Sequence, residues 1–318
     1  VYNDFSAFGG VGQYVIGTFV ANSSSNSFTL IPSAGGSVQL NAISVRDLGG
    51  PNKIWLGGSD TSWGTAANWS PSGAPISDQS VIFNNLSTAN LATMLDASHI
   101  VGTLSLSNAP SAVSIGSDGN TLTINAGLNL FGAGDNLTIN DPVVLGGFQT
   151  WTNNGAVTVN APISGSAGLT IAGTGIMTIT QPATYLYKTA ISGGTLVLSG
   201  SGSIAGGKFA VGGGATFDVS AESPNFALAG RDLSNISSGA IINGANDCTS
   251  GSLSLTYDGA NPCFIQTNGA MTISSATVVN INIPGGSLSA GSHTLIAAAT
   301  TGNAGQVTVA DSLPSVVL

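Results

Sequence analysis

Charge is the scarcest property of this chain. Of 318 residues only 6% are charged, against about 25% in an ordinary globular domain. The five basic residues, Arg46, Lys53, Lys188, Lys208 and Arg231, are scattered along the sequence. Nucleic acid is therefore excluded as a partner on composition, because neutralising phosphates requires clustered Lys and Arg. There is a single glutamate, Glu222, whereas glycoside hydrolysis asks for two facing carboxyl groups, one of them with a raised pKa. Most aspartates lie in turn strings such as GSDGN (116–120), GAGDN (132–136) and NDP (140–142), where Asp commonly accepts a hydrogen bond from its own backbone. His99 and His293 are isolated and lack metal-ligand spacing. No GGxGxD repeat and no phosphate loop followed by a helix is present, so neither a metal nor another cofactor is expected. No apolar run is long enough to span a bilayer. The sequence points away from an enzyme.

Cysteine is nearly absent as well. Cys248 and Cys263 stand in NDC and NPC, both turn-like contexts. A bridge between them is expected in an oxidising exterior, stabilising by roughly 3 kcal/mol in the chain-entropy model; the alternative is two buried free thiols. The chain starts without an initiator Met or a signal-peptide pattern, which suggests a processed or excerpted piece of a secreted precursor.

What is present is a short alternation. Between Gly168 and Ala221 a glycine or small turn precedes a run that is apolar at every second place: Leu169 with Ile171, Met177 with Ile179, Leu196 with Leu198, Phe217 with Val219. Period two puts these pairs on one strand face and the intervening Thr, Ser or Asp on the other. The same unit recurs as TLSL (103–106), TLTI (121–124), NLTI (136–139), AVTV (156–159), SLSL (252–255), AMTI (270–273) and NINI (280–283). Strands this short cannot bury a core alone, and stacked neighbours must close it, as in a solenoid. Helical periodicity is nowhere sustained, and the 45 glycines oppose it.

Three regions follow. Residues 1–50 read as three antiparallel strands (14–21, 27–31 and 37–45), a sandwich-like remnant or cap. Residues 51–99 form a Trp-rich transition in which Trp55, Trp63 and Trp69 fall within fifteen positions. These tryptophans suit either a plug over the open end of the coil or a sugar-stacking platform, the plug being preferred. Residues 100–318 form the solenoid.

The block 168–220 resembles the passenger-associated transport repeat of autotransporter passengers. The matching residues are Gly168-Leu169-Thr170, Gly173-Thr174-Gly175, Thr178-Ile179-Thr180, Tyr185, Gly194-Thr195-Leu196-Val197-Leu198, Val211-Gly212 and Gly214-Ala215-Thr216-Phe217-Asp218-Val219. One departure is Tyr185-Leu186-Tyr187-Lys188, where the family has a Tyr-Thr-Gly turn. The flanks WLGGSDTSWGTAANWS and LSAGSHTLIAAATTG are similar to segments that precede and follow such repeats. The resemblance implies an all-β protein, a right-handed parallel β-helix secreted by a bacterium to the exterior or cell surface. It implies no activity.

The expected role is structural: a fibre or filament subunit assembling head-to-tail with copies of itself. The candidate assembly strands are Tyr14, Val15, Ile16 and Phe19 at one end and Val316, Val317 and Leu318 at the other, one completing the sheet of the next by strand addition. The competing expectation is an adhesin that binds surface or matrix polysaccharide.

Overall fold

Thirty-odd short strands wind into a parallel β-solenoid of about nine turns, with almost no helix. The computed structural model describes residues 52–284, 288 and 290–298, together with the backbones of the strands Gly305–Val309 and Ser315–Val317. Tyr14, Val15, Ile16, Phe19 and Leu318 therefore lie outside the described residues.

Each turn of the coil is three strands long. A representative turn runs Ala156–Val159, Ile163–Ser164 and Leu169–Ala172. Alternation sets the inside of each: Val157, Val159, Ile163, Leu169 and Ile171 are buried, and Thr158, Thr170 and Ala172 are half-buried. Strands then stack on the same strand of the next turn, in parallel and in register. Leu137, Val157, Met177, Leu196 and Phe217 are successive register partners, at separations of 20, 20, 19 and 21 residues. Later turns carry longer loops: Phe217 pairs with Ile242 and Phe264 with Ile296, separations of 25 and 32. The interior is one continuous apolar column in which each fully buried Leu, Ile or Phe contributes about 1.5–3 kcal/mol.

The three stacks differ in continuity. Face 1 runs unbroken from Lys53–Trp55 through Val81–Asn84, Gln149–Asn153 and Thr189–Ile191 to Ser315–Val317. Face 2 is a ten-stranded sheet from Ala92–Thr93 to Ile296–Ala298. Face 3 breaks after Ser203–Ile204 and resumes as a separate four-stranded sheet at Phe226–Ala227. The parallel ladder already includes Lys53–Trp55 and Val81–Asn84, so the Trp-rich segment forms the first turns of the coil itself. Its outer edge is covered by Trp69–Ser70, which pairs antiparallel with Ile54 and Trp55. At the other end Val316 and Val317 belong to the last strand of face 1, register partners of Val279 and Asn280.

Arg231 spans the break in face 3. Its Nη1 donates to the Ile204 carbonyl on one side and its Nη2 to the Ala227 carbonyl on the other, while Nε donates to Leu228 O at 2.7 Å. The guanidinium lies 5.0 and 5.1 Å from the ring centres of Phe209 and Phe226, so a planar cation replaces the hydrogen bonds that the ladder loses there. We expect Arg231→Met to lower unfolding stability in urea by about 2–4 kcal/mol, by orphaning carbonyls. Arg231→Lys, which cannot fork, should recover little; full recovery by Lys would show that the charge alone suffices.

Candidate functional site

The tryptophans expected to plug the coil or stack on sugar are inside it. Trp55 and Trp63 are fully buried and Trp69 is 2% exposed. Trp69 meets both others edge-on, at centroid distances of 4.9 and 5.3 Å. Each indole N–H already has an acceptor: Ala89 O at 3.1 Å, Thr93 Oγ1 at 2.9 Å and Trp63 O at 2.8 Å. No indole face is open to a ligand.

Cys248 and Cys263 are separate buried thiols, which corrects the expected disulfide. Cys248 follows the face 3 strand Asn246–Asp247, and its thiol donates to Asn246 Oδ1 at 3.1 Å. Cys263 precedes the face 2 strand Phe264–Thr267 and donates to Thr256 O at 3.5 Å. They are thus held on different faces of the coil, by different partners. Burial, helped by the charge of Asp247, pushes the Cys248 thiol up to about 12; burial and Asp258 push Cys263 up to about 11. Both therefore remain protonated and inert as nucleophiles.

Two aspartates that the sequence placed in separate turns come together. Asp141 is 1% exposed, and its Oδ1 accepts the Ser117 and Gly119 N–H groups at 3.1 and 2.9 Å. Its Oδ2 has no N–H or hydroxyl donor and lies beside the carboxyl of Asp118. Burial raises the Asp141 pKa, and the hydrogen bond with Asp118 adds to the rise. Although partial burial opposes it, the Asp118 pKa is lowered by hydrogen bonds from Asp141, from the Asp96 N–H at 2.6 Å and from Asn120. Gly116 makes the approach feasible: at φ 81° it adopts a backbone that L residues avoid, and a Cβ there would overlap the Asp141 carboxyl. Glycosidases hold their carboxyls about 5 Å apart or more to admit substrate or water. This hydrogen-bonded pair leaves no such room and lines none of the hollows described next. Among the described residues, no group of three or more His, Cys, Asp or Glu is placed to hold a metal.

The open surface lies on face 1. Three hollows of about 520, 540 and 390 Å³ follow one another along it. Outward-facing register partners line them, Thr103 the first, Thr150, Thr170 and Ala190 the second, and Ser234 and Asn280 the third. Ala210, the member of the column between the second and third, is covered and lines none of the three. Every member is small or polar and uncharged, because each must sit beside near-copies of itself. Two of the most exposed large apolar side chains flank the trough: Phe131 (62% exposed) beside the first hollow and Phe148 (71%) beside the second. Phe148 lies over Gly168, whose missing side chain leaves the space, and meets the exposed Tyr187 at 5.1 Å. Sequence reading missed this aromatic pair. The one available signal was the Tyr185-Leu186-Tyr187-Lys188 departure, in which Tyr185 turns inward to Thr189 (2.6 Å) and Tyr187 outward.

The carboxyl pair generates a pH prediction. Because its pKa is raised, Asp141 contributes stability at acid pH that is lost as pH rises through its folded-state titration. Asn at 141 keeps the Oδ1 acceptor and supplies a fixed donor to Asp118. Melting curves across pH 4–9 should show Asp141→Asn matching the parent at the acid end and surpassing it as pH rises; parallel profiles would contradict the raised Asp141 titration.

No family model matches the chain, and searches of curated proteins and of solved structures likewise gave no match, so the resemblance to passenger repeats stands at the level of the β-solenoid alone.

Proposed function

We propose that this chain is an extracellular bacterial surface protein of structural, non-catalytic character, a solenoid stalk whose grooved face binds a polysaccharide lying along its axis. The observation that carries this reading is the row of three hollows on face 1, lined chiefly by Ser, Thr, Asn and Ala and flanked by exposed Phe131 and Phe148. Extended sugar chains present alternating hydroxyl edges and apolar faces. Small hydroxyl and amide side chains suit the first, and exposed rings suit the second. The protein has ready-made recognition on that face and no exposed acid–base pair among the described residues beside it.

A second reading, head-to-tail self-assembly, is favoured by the difference between the two ends. The first edge of face 1 is covered by Trp69–Ser70, whereas the outer edge of Ser315–Val317 has no partner strand among the described residues. Unpaired edges template strand addition. Regular filaments in negative-stain micrographs over a concentration series would support it, and isolated rods at every concentration would remove it.

The glycan reading predicts a separation of effects. Phe131→Ala should weaken retention on immobilised polysaccharide several-fold and leave the melting temperature unchanged. Trp63→Ala should lower stability by about 3–5 kcal/mol without selectively weakening binding in the protein that remains folded. Binding lost only with Trp63 would move the site to the tryptophans and overturn the trough.

A further inference from the structure

Only two described basic residues have free charges. Lys53 is nearly buried, and its Nζ donates to Pro71 O and Ser72 O at 3.0 and 3.2 Å. Arg231 is fully engaged across the break in face 3. Lys188 and Lys208 are exposed, and among the described residues neither ammonium has a hydrogen-bond or ion-pair partner. The residues that follow them, Thr189 and Phe209, are register partners, so the two lysines occupy the same position on adjacent turns. Neighbouring strands lie about 4.8 Å apart, and like charges so placed repel. In a chain with 14 acidic residues and a net charge of −9, two adjacent cations that make no ion pair among the described residues are unusual.

Their surroundings indicate what would neutralise them. The same outward column continues from Lys188 back to Gly168 and then Phe148, whose ring lies 3.3 Å from the Cβ position of Gly168 and packs on Tyr187. Phe148, Lys188 and Ala190 line one hollow of the trough. On the far side, Asp232 is the register partner of Lys208. Its Oδ1 accepts the hydroxyls of Ser252 and Ser254 at 2.6 and 2.7 Å, and it closes the basic step at that end.

We propose that Lys188 and Lys208, together with the Phe148–Tyr187 aromatic pair, form the subsite that selects an acidic polysaccharide, with uronate carboxylates on the two ammoniums and a sugar face on the rings. This deepens the trough reading and rests on it. One turn of the coil advances by about the length of one sugar residue, so successive lysines can meet neighbouring residues of an extended chain.

The test compares polygalacturonate, neutral dextran and poly-glutamate as probes, by calorimetry at low and at physiological salt. The parent protein should bind polygalacturonate more tightly than dextran and should discriminate against poly-glutamate, which has the charge but lacks the sugar face. Lys188→Gln with Lys208→Gln should weaken polygalacturonate binding about tenfold, flatten its salt dependence and leave dextran binding unchanged. Without ligand the double variant should melt no lower than the parent, since a repulsion has been removed. Unchanged polygalacturonate affinity in the double variant overturns the subsite while dextran binding, weakened by Phe131→Ala, keeps the trough. Equal binding of poly-glutamate overturns the glycan assignment. Failure of both polysaccharides to bind the parent overturns the subsite and the trough together.

Discussion

Along the stacked strands of this fold, a side chain sits beside the corresponding residue of the turn before and the turn after. That constraint explains the composition. Inward positions can repeat Leu, Val, Ile and Phe, because an apolar column gains from each addition. Outward positions cannot repeat a charge without repulsion, so they carry Ser, Thr, Asn and Ala. Some of these extend hydrogen bonds from turn to turn: Asn160 Nδ2 donates to Asn140 Oδ1 at 3.0 Å, and Thr180 Oγ1 donates to Asn160 Oδ1 at 3.1 Å. A solenoid chain with 6% charged residues is thus a consequence of in-register stacking, not a mark of low complexity.

Where the ladder is interrupted, single polar groups replace it. The Arg231 guanidinium joins the two halves of face 3, and the Trp55–Trp63–Trp69 cluster fills the interior at the first turns. Asp141, accommodated by Gly116, joins two successive turns by accepting the Ser117 and Gly119 N–H groups beside Asp118. Lys188 and Lys208 are the exception, since they stack like charges and make no ion pair among the described residues, which is the ground for proposing that an acidic ligand meets them. Geometry distinguishes the three buried or bridged cases from the exposed one: the former have partners within the chain.

Much of the architecture was legible in the sequence. Period-two alternation around Leu169, Met177, Leu196 and Phe217 specified strands, their inner faces and the need to stack. Alternation does not say which strands align, because turns of 19 to 37 residues shift the register with each loop. Two lysines 20 residues apart therefore read as scattered, yet they are neighbours. Asp118 and Asp141 each read as a local turn former, though their carboxyls come together across adjacent turns. The tryptophans read as either exposed or capping, since Gly- and Ser-rich surroundings do not reveal that a strand edge folds over them. Cys248 and Cys263 looked like bridge partners by proximity in sequence, but the chain between them crosses from one face of the coil to another.

Hydroxyl-radical footprinting, read residue by residue with and without polygalacturonate, tests the account most directly, because it reports side-chain exposure on buried and open faces at once. The account predicts that Trp55, Trp63 and Trp69, intrinsically among the most reactive side chains, stay unmodified in the folded protein. Phe131, Phe148 and Tyr187 should oxidise readily when free and become protected when the polysaccharide binds. Oxidised tryptophans in the native protein, or aromatic side chains on face 1 whose reactivity ignores the ligand, would contradict it.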